Sequence, residues 1–119
     1  MNDFKVIARL LGAIRSCEGK PFNVAAVSPE ALGTTERQRD VLAVKLQNAG
    51  KISGLITTED IDNAPLMVLW EQSSPEITLE GLEYIATCDP LKSAAKEIVA
   101  ASTSAAVNLT VAALAKMVQ

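Results

Sequence analysis

A chain of 119 residues, 49% apolar and 21% charged, has the size and balance of one globular domain rather than of a disordered segment. It contains no histidine, which removes Ser-His-Asp and Cys-His nucleophile systems, histidine acid–base chemistry and His-bearing zinc sites together. The net charge of −3 excludes a generally basic polyanion-binding surface, although it leaves room for a basic face on part of the molecule.

The start is mixed in charge, with Phe4, Ile7, Leu10, Leu11 and Ile14 at helical spacing and Lys5, Arg9 and Arg15 off that stripe; this predicts an amphipathic helix over 3–16. Cys17-Glu18-Gly19-Lys20-Pro21 ends it in a turn. Cys17 and Cys88 lack CxxC spacing and no secretory leader precedes them, so the expectation is a reduced, cytoplasmic protein with two free thiols.

Ser28-Pro29-Glu30-Ala31-Leu32-Gly33 reads as one short helix with a serine cap, proline at the first helical position and a terminating glycine. A third helix follows, opened by a capping-box pair, Thr35 and Gln38, and closed by Gly50. At 100° per residue, Leu42, Leu46 and Ala49 share its inner face, with Gln38 at the edge. The outer arc then carries Glu36, Arg37, Asp40, Ala43, Val44, Gln47 and Asn48.

After Gly50 the period changes. Ile52 to Thr58 and Leu66 to Trp70 read as two strands of a hairpin, joined by the turn-rich Glu59-Asp60-Ile61-Asp62-Asn63-Ala64-Pro65. The acidic tip lacks the DxDxDG frame of a calcium loop and reads as a solvated turn, so no metal is expected. Beyond Pro75 a short strand runs into a helix that packs Leu79, Leu82 and Ile85 or Ala86. Asp89-Pro90 restarts a helix with nothing to oblige a stop before Met117, Ser102-Thr103-Ser104 being the place for a bend.

The expected fold is therefore mainly α with a small β-hairpin, an α+β chain whose helix–helix–helix–hairpin order is that of a winged helix-turn-helix. Residues 1–88 form the winged helix, and residues 89–119 a C-terminal helical segment packed on it as one unit.

Four blocks carry a family resemblance: Phe4-Lys5-Val6-Ile7; Ser28 to Gly33 with Thr35-Glu36; Asn48-Ala49-Gly50-Lys51-Ile52-Ser53-Gly54; and Ile77-Thr78-Leu79-Glu80-Gly81-Leu82-Glu83-Tyr84-Ile85. Together they resemble the YjcQ family of small bacterial and prophage-type proteins, and the resemblance runs from residue 3 to residue 100. It implies a winged-helix fold and no particular activity. Arg39 departs from it, standing where a large aromatic or apolar residue is expected, and the segment after Lys96 is unusually alanine-rich.

Function is bounded by charge and by what is missing. Eight basic and four acidic residues lie from Lys5 to Thr58, a net +4, whereas residues 59–119 carry three basic and nine acidic, a net −6. The helix-turn-helix portion can therefore face the phosphates of double-stranded DNA, with Thr34, Thr35, Arg37, Gln47, Asn48 and Lys51 as contact candidates. Glu36 and Asp40 on the outer arc, and the acids of the hairpin tip, count against this. The alternative is a winged helix used only for protein contacts.

No nucleophile–base pair, glycine-rich phosphate loop or metal cluster appears, so neither an enzyme, a cofactor nor a small-molecule substrate is expected. The four aromatics, Phe4, Phe22, Trp70 and Tyr84, are scattered and read as packing rather than a stacking platform. Residues 98–115 carry no charge, but Ser102, Thr103, Ser104, Asn108, Thr110 and many alanines argue against a membrane span. The seam Leu91, Ala95, Ile98, Ser102, Ala105, Leu109 and Ala112 suits a helix partner instead, and a homodimer through Ile98, Ala105, Leu109 and Ala112 is expected.

Overall fold

The computed structural model describes residues 3–58 and 65–101. Its helices are α1 (Asp3–Cys17), α2 (Pro29–Leu32), α3 (Glu36–Asn48), α4 (Leu79–Thr87) and α5 (Asp89–Ala101), with one-turn 3₁₀ segments at Val24–Val27 and Trp70–Gln72. Among the described residues the sheet is one antiparallel pair, β1 (Ile52–Ser53) against β2 (Glu76–Ile77), with Ile52 opposite Ile77. The chain is thus mainly helical with a small β element, in the α+β class.

α1 is more deeply set than one amphipathic stripe requires. Besides Ile7, Leu10, Leu11 and Ile14, it buries Val6, Ala8, Gly12 and Ala13, because α5 covers the side that α2, α3 and the sheet leave open. Small residues on that side let the second helix approach closely. Leu91, Ala95 and Ile98 of α5 join the same core.

The helix boundaries follow the capping chemistry. Ser28 Oγ accepts from Ala31 N at 3.2 Å, Pro29 takes the first helical position, and Gly33 ends α2 at φ +70°. Thr35 Oγ1 accepts from Gln38 N at 3.1 Å. The reciprocal half of the expected capping box is not made, because the Gln38 amide reaches Asp3 of α1 at 3.2 Å instead. At the other end Gly50 adopts φ +76° and Lys51 N donates to Leu46 O at 2.9 Å, the bond of a Schellman turn.

The hairpin differs from the regular ladder predicted. Thr57 bridges Val68, with Thr58 N on Met67 O and Leu69 N on Ile56 O, and β1–β2 pairs farther down. Between these two stretches the returning chain bulges into the Trp70–Gln72 turn. Trp70 leaves the ladder because its indole is engaged elsewhere, and Ser73 Oγ fills the gap by accepting from Ile56 N and donating to Leu69 O. The acidic tip, Glu59 to Ala64, lies outside the described residues, as do Ser102 to Ser104.

α3 is buried on two sides, which corrects the single inner face of the helical wheel. Ala49 is exposed, whereas Asp40, Ala43 and Val44, assigned to the outer arc, are buried, Ala43 and Val44 within the core cluster and Asp40 against Val68 and Trp70 of the hairpin. Asp40 takes three hydrogen bonds: from Arg39 Nε at 2.9 Å, from Trp70 Nε1 at 2.9 Å and from Val68 N at 3.2 Å. Arg39 lies over the Trp70 ring, 5.4 Å from its centroid, and donates to Val27 O at 3.1 Å. A flat guanidinium between an indole and a carboxylate occupies the site where an apolar side chain was expected.

α4 also turns differently from prediction. Leu79 is 85% exposed and Ala86 is exposed, while Gly81 and Ile85 face inward. A Cβ on Gly81 would be driven into the Lys51 carbonyl oxygen, so the close approach of α4 to the start of β1 depends on glycine.

Two outcomes are expected in denaturant unfolding. Asp40→Ala, which leaves Arg39 and the indole without their shared acceptor, destabilises the fold by about 3–5 kcal/mol, and Asp40→Asn by less. Gly81→Ala gains up to about 1 kcal/mol in an ordinary helix, but here it destabilises, because backbone must shift to admit the methyl group.

Candidate nucleic-acid interface

The outward face of α3 is set by what the hairpin covers. With Arg39, Leu42, Ala43, Val44 and Leu46 buried and Asp40 bonded to the hairpin at Val68 and Trp70, the row left to solvent is Arg37, Val41, Lys45 and Asn48. Arg37, Lys45 and Asn48 are exposed and Val41 is half-buried. Their spacing of four, four and three residues is one helical edge, about 16 Å long. It holds two cations and an amide and no carboxylate. Glu36 is exposed beside it in the first turn, 3.9 Å from Arg39 Nη2.

The six contact candidates do not all reach this row. Arg37 and Asn48 lie on it. Thr35 is exposed at the helix start with its hydroxyl committed to the cap, and Thr34 is half-buried with Oγ1 enclosed and without a hydrogen-bond partner. Gln47 faces the other way: its amide clamps the backbone of Leu55, accepting from Leu55 N at 2.8 Å and donating to Leu55 O at 3.4 Å. That pair of bonds fastens the C-terminal half of α3 to the outgoing strand of the hairpin.

Lys51, at the foot of α3, lies half-buried with its ammonium 5.5 Å from the centre of the Tyr84 ring. Lys45 and Val41 are the members of the row that the helical wheel overlooked. The i, i+4 spacing from Arg37 is the signal that reaches both. Of the four dimer-seam candidates, Ile98 is 5% exposed in the chain's own core, and Ala105, Leu109 and Ala112 lie outside the described residues.

An open groove of about 840 Å³ flanks the row, between the first turns of α3 and Pro65, Leu66 and Met67 of the returning strand. Leu66 and Met67 are 42% and 39% exposed there. Among the described residues no group of acidic or thiol side chains is placed to hold a metal ion, and no helix is long and apolar enough to cross a membrane.

Three helices ahead of a short hairpin, with a polar, partly basic edge on the third, define a small α+β protein of helix–helix–helix–hairpin order. The family model described as "YjcQ protein" matches residues 5–101, and the chain belongs to that family. No match was found among curated proteins or among solved structures.

The neighbourhood of Lys51 gives a spectroscopic check on this geometry. Burial, joined by the charge of a Cys88 thiolate and its hydrogen bond with the phenol, raises the pKa of Tyr84 to about 12. A folded pKa above the ordinary value favours the protonated phenol in the folded state. Its contribution to stability is complete below pH 10 and is lost as pH rises through about 12. As Tyr84 is the single tyrosine, ultraviolet titration of the phenolate is expected to give a midpoint near 12, and Cys88→Ala to lower it.

Proposed function

We propose that α2, the turn at 33–35 and α3 form the helix-turn-helix of a winged helix, that the irregular hairpin is its wing, and that the protein is a non-catalytic regulatory module that binds double-stranded DNA. The element order supports the fold reading. One observation carries the functional one: the outward edge of α3 is Arg37, Val41, Lys45 and Asn48, and Asp40, one of the acids that counted against a phosphate-facing helix, is buried and fully engaged.

On such an edge Arg37 and Lys45 supply the phosphate or guanine contacts, Asn48 has the donor–acceptor pair that matches adenine, and Val41 offers an apolar surface to a thymine methyl. Only these few charges contribute, so the affinity is modest and salt-dependent. The apolar groove beside the edge favours a second reading, in which the same fold serves protein contacts.

Salt separates the two. For a labelled duplex followed by fluorescence anisotropy, binding is expected at about 50 mM salt and falls steeply on a log–log plot as salt rises. Arg37→Ala with Lys45→Ala is expected to weaken binding at least tenfold and to lower that slope by about one for each cation removed, while the far-ultraviolet dichroism is unchanged. A variant that binds like the parent chain, or a parent chain that shifts no duplex at about 50 mM salt, overturns the reading.

A further inference from the structure

Two apolar surfaces face solvent among the described residues, one on α4 and one in the groove beside α3. Along α4, Leu79 is 85% exposed, Glu83 and Ala86 are exposed and Leu82 is half-buried. Steps of three, one and three residues put these four on one helical face, away from the buried Gly81 and Ile85. The groove has Pro65, Leu66 and Met67 as its apolar wall, with Arg37 and Val41 of α3 opposite.

Charge matches the two surfaces. α4 carries Glu80 and Glu83 and no cation, whereas the edge of α3 beside the groove carries Arg37 and Lys45. Among the described residues none of these four side chains has an ion-pair partner. Glu36, the exposed acid at the groove's rim, has Arg39 Nη2 3.9 Å away. The two surfaces also lie at opposite ends of one helix. α4 is fixed at the foot of α3, where Thr78 N donates to Lys51 O at 3.1 Å, and the groove flanks the first turns of α3, about 20 Å along its axis.

We propose that the chain self-associates as a closed dimer in which the outer face of α4 of each copy enters the α3–hairpin groove of the other. Leu79 and Leu82 pack against Leu66 and Met67, and Glu83 pairs with Arg37. With the two α3 helices antiparallel, a two-fold axis makes both contacts at once, so the pair closes on itself instead of growing into a filament. Both surfaces gain by leaving water, and the acids of α4 meet cations that their own chain leaves unpaired. The inference does not rest on DNA binding. Arg37 serves both surfaces, so the dimer is the form in which the edge of α3 is covered.

Sedimentation equilibrium of the full chain tests it. The parent is expected to pass from monomer to dimer between about 10 µM and about 500 µM, the range of a small interface. Leu79→Lys, at a side chain too exposed to carry the fold, is expected to stay monomeric throughout. The indole N–H signal of Trp70, the single tryptophan, stays in place in that variant as the measure of an intact core. Glu83→Arg is expected to weaken association by at least about tenfold, and Arg37→Glu added to it to restore most of that loss, since the pair is then re-formed with its signs exchanged. A parent chain still monomeric at about 500 µM overturns the proposal. A dimer that forms equally well with Leu79→Lys, or a charge-exchanged pair that associates no better than Glu83→Arg alone, overturns it too.

Discussion

The carboxylate of Asp40 is the point on which the arrangement of the helices and the hairpin depends. It gathers a guanidinium from its own helix, an indole from the bulge of the hairpin and a backbone amide from the strand before that bulge. Arg39, held on one side by this acid and on another by the Trp70 ring, reaches on to the Val27 carbonyl and so brings in the turn that precedes α2. Two buried charges cost more in desolvation than a lone contact returns, and what makes them tolerable is that the donors and acceptors around them are largely occupied. Remove the acid and three separate segments lose their common reference, including the one that decides which edge of α3 meets solvent.

This is also where the sequence was hardest to read. Caps and turns were legible because they are local: Ser28, Thr35 and Gly50 act within a few residues of themselves, and the structure places each where its chemistry requires. The core face of α1 and the start of α5 at Asp89-Pro90 were legible for the same reason. A helical wheel, however, sorts residues into one inner and one outer face and sends charges outward. α3 has two covered sides, and its inner charged pair is satisfied by partners up to thirty positions away, at Trp70. Nothing within α3 announces that. The same blindness to distant partners hid the bulge at Trp70, the turning of Gln47 toward Leu55, and the exposure of Leu79, whose inward place is taken by a glycine lying on the Lys51 carbonyl.

The candidate site was legible only in outline. The charge split between the two halves of the chain is real, yet its sum overstates what the surface offers. Of the eight cations before residue 59, Arg39 is buried, Lys5, Arg9 and Lys51 are half-covered, and Arg15 is paired with Glu18. Burying Arg39 and Asp40 together leaves the net charge of the segment unchanged while concentrating what remains of α3's positive charge on one edge. Position rather than total charge distinguishes that edge, and only the packed hairpin defines position.

The sheet shows how a small fold limits its own growth. Among the described residues no third strand joins β1 and β2, so their outer edges are ones on which another chain can pair. The outward amide of Ile77 is taken by the Glu18 carboxylate at 2.9 Å, a side chain from the turn after α1, fifty-nine positions away. That carboxylate is itself anchored by Arg15, one turn earlier. A charged group seated on an edge donor makes the strand a poor template for a third strand, since any newcomer must displace an ionised partner to gain an ordinary backbone bond. The turn that ends the first helix thus also terminates the sheet, and it guards the chain against ladder-wise self-association without lengthening either strand.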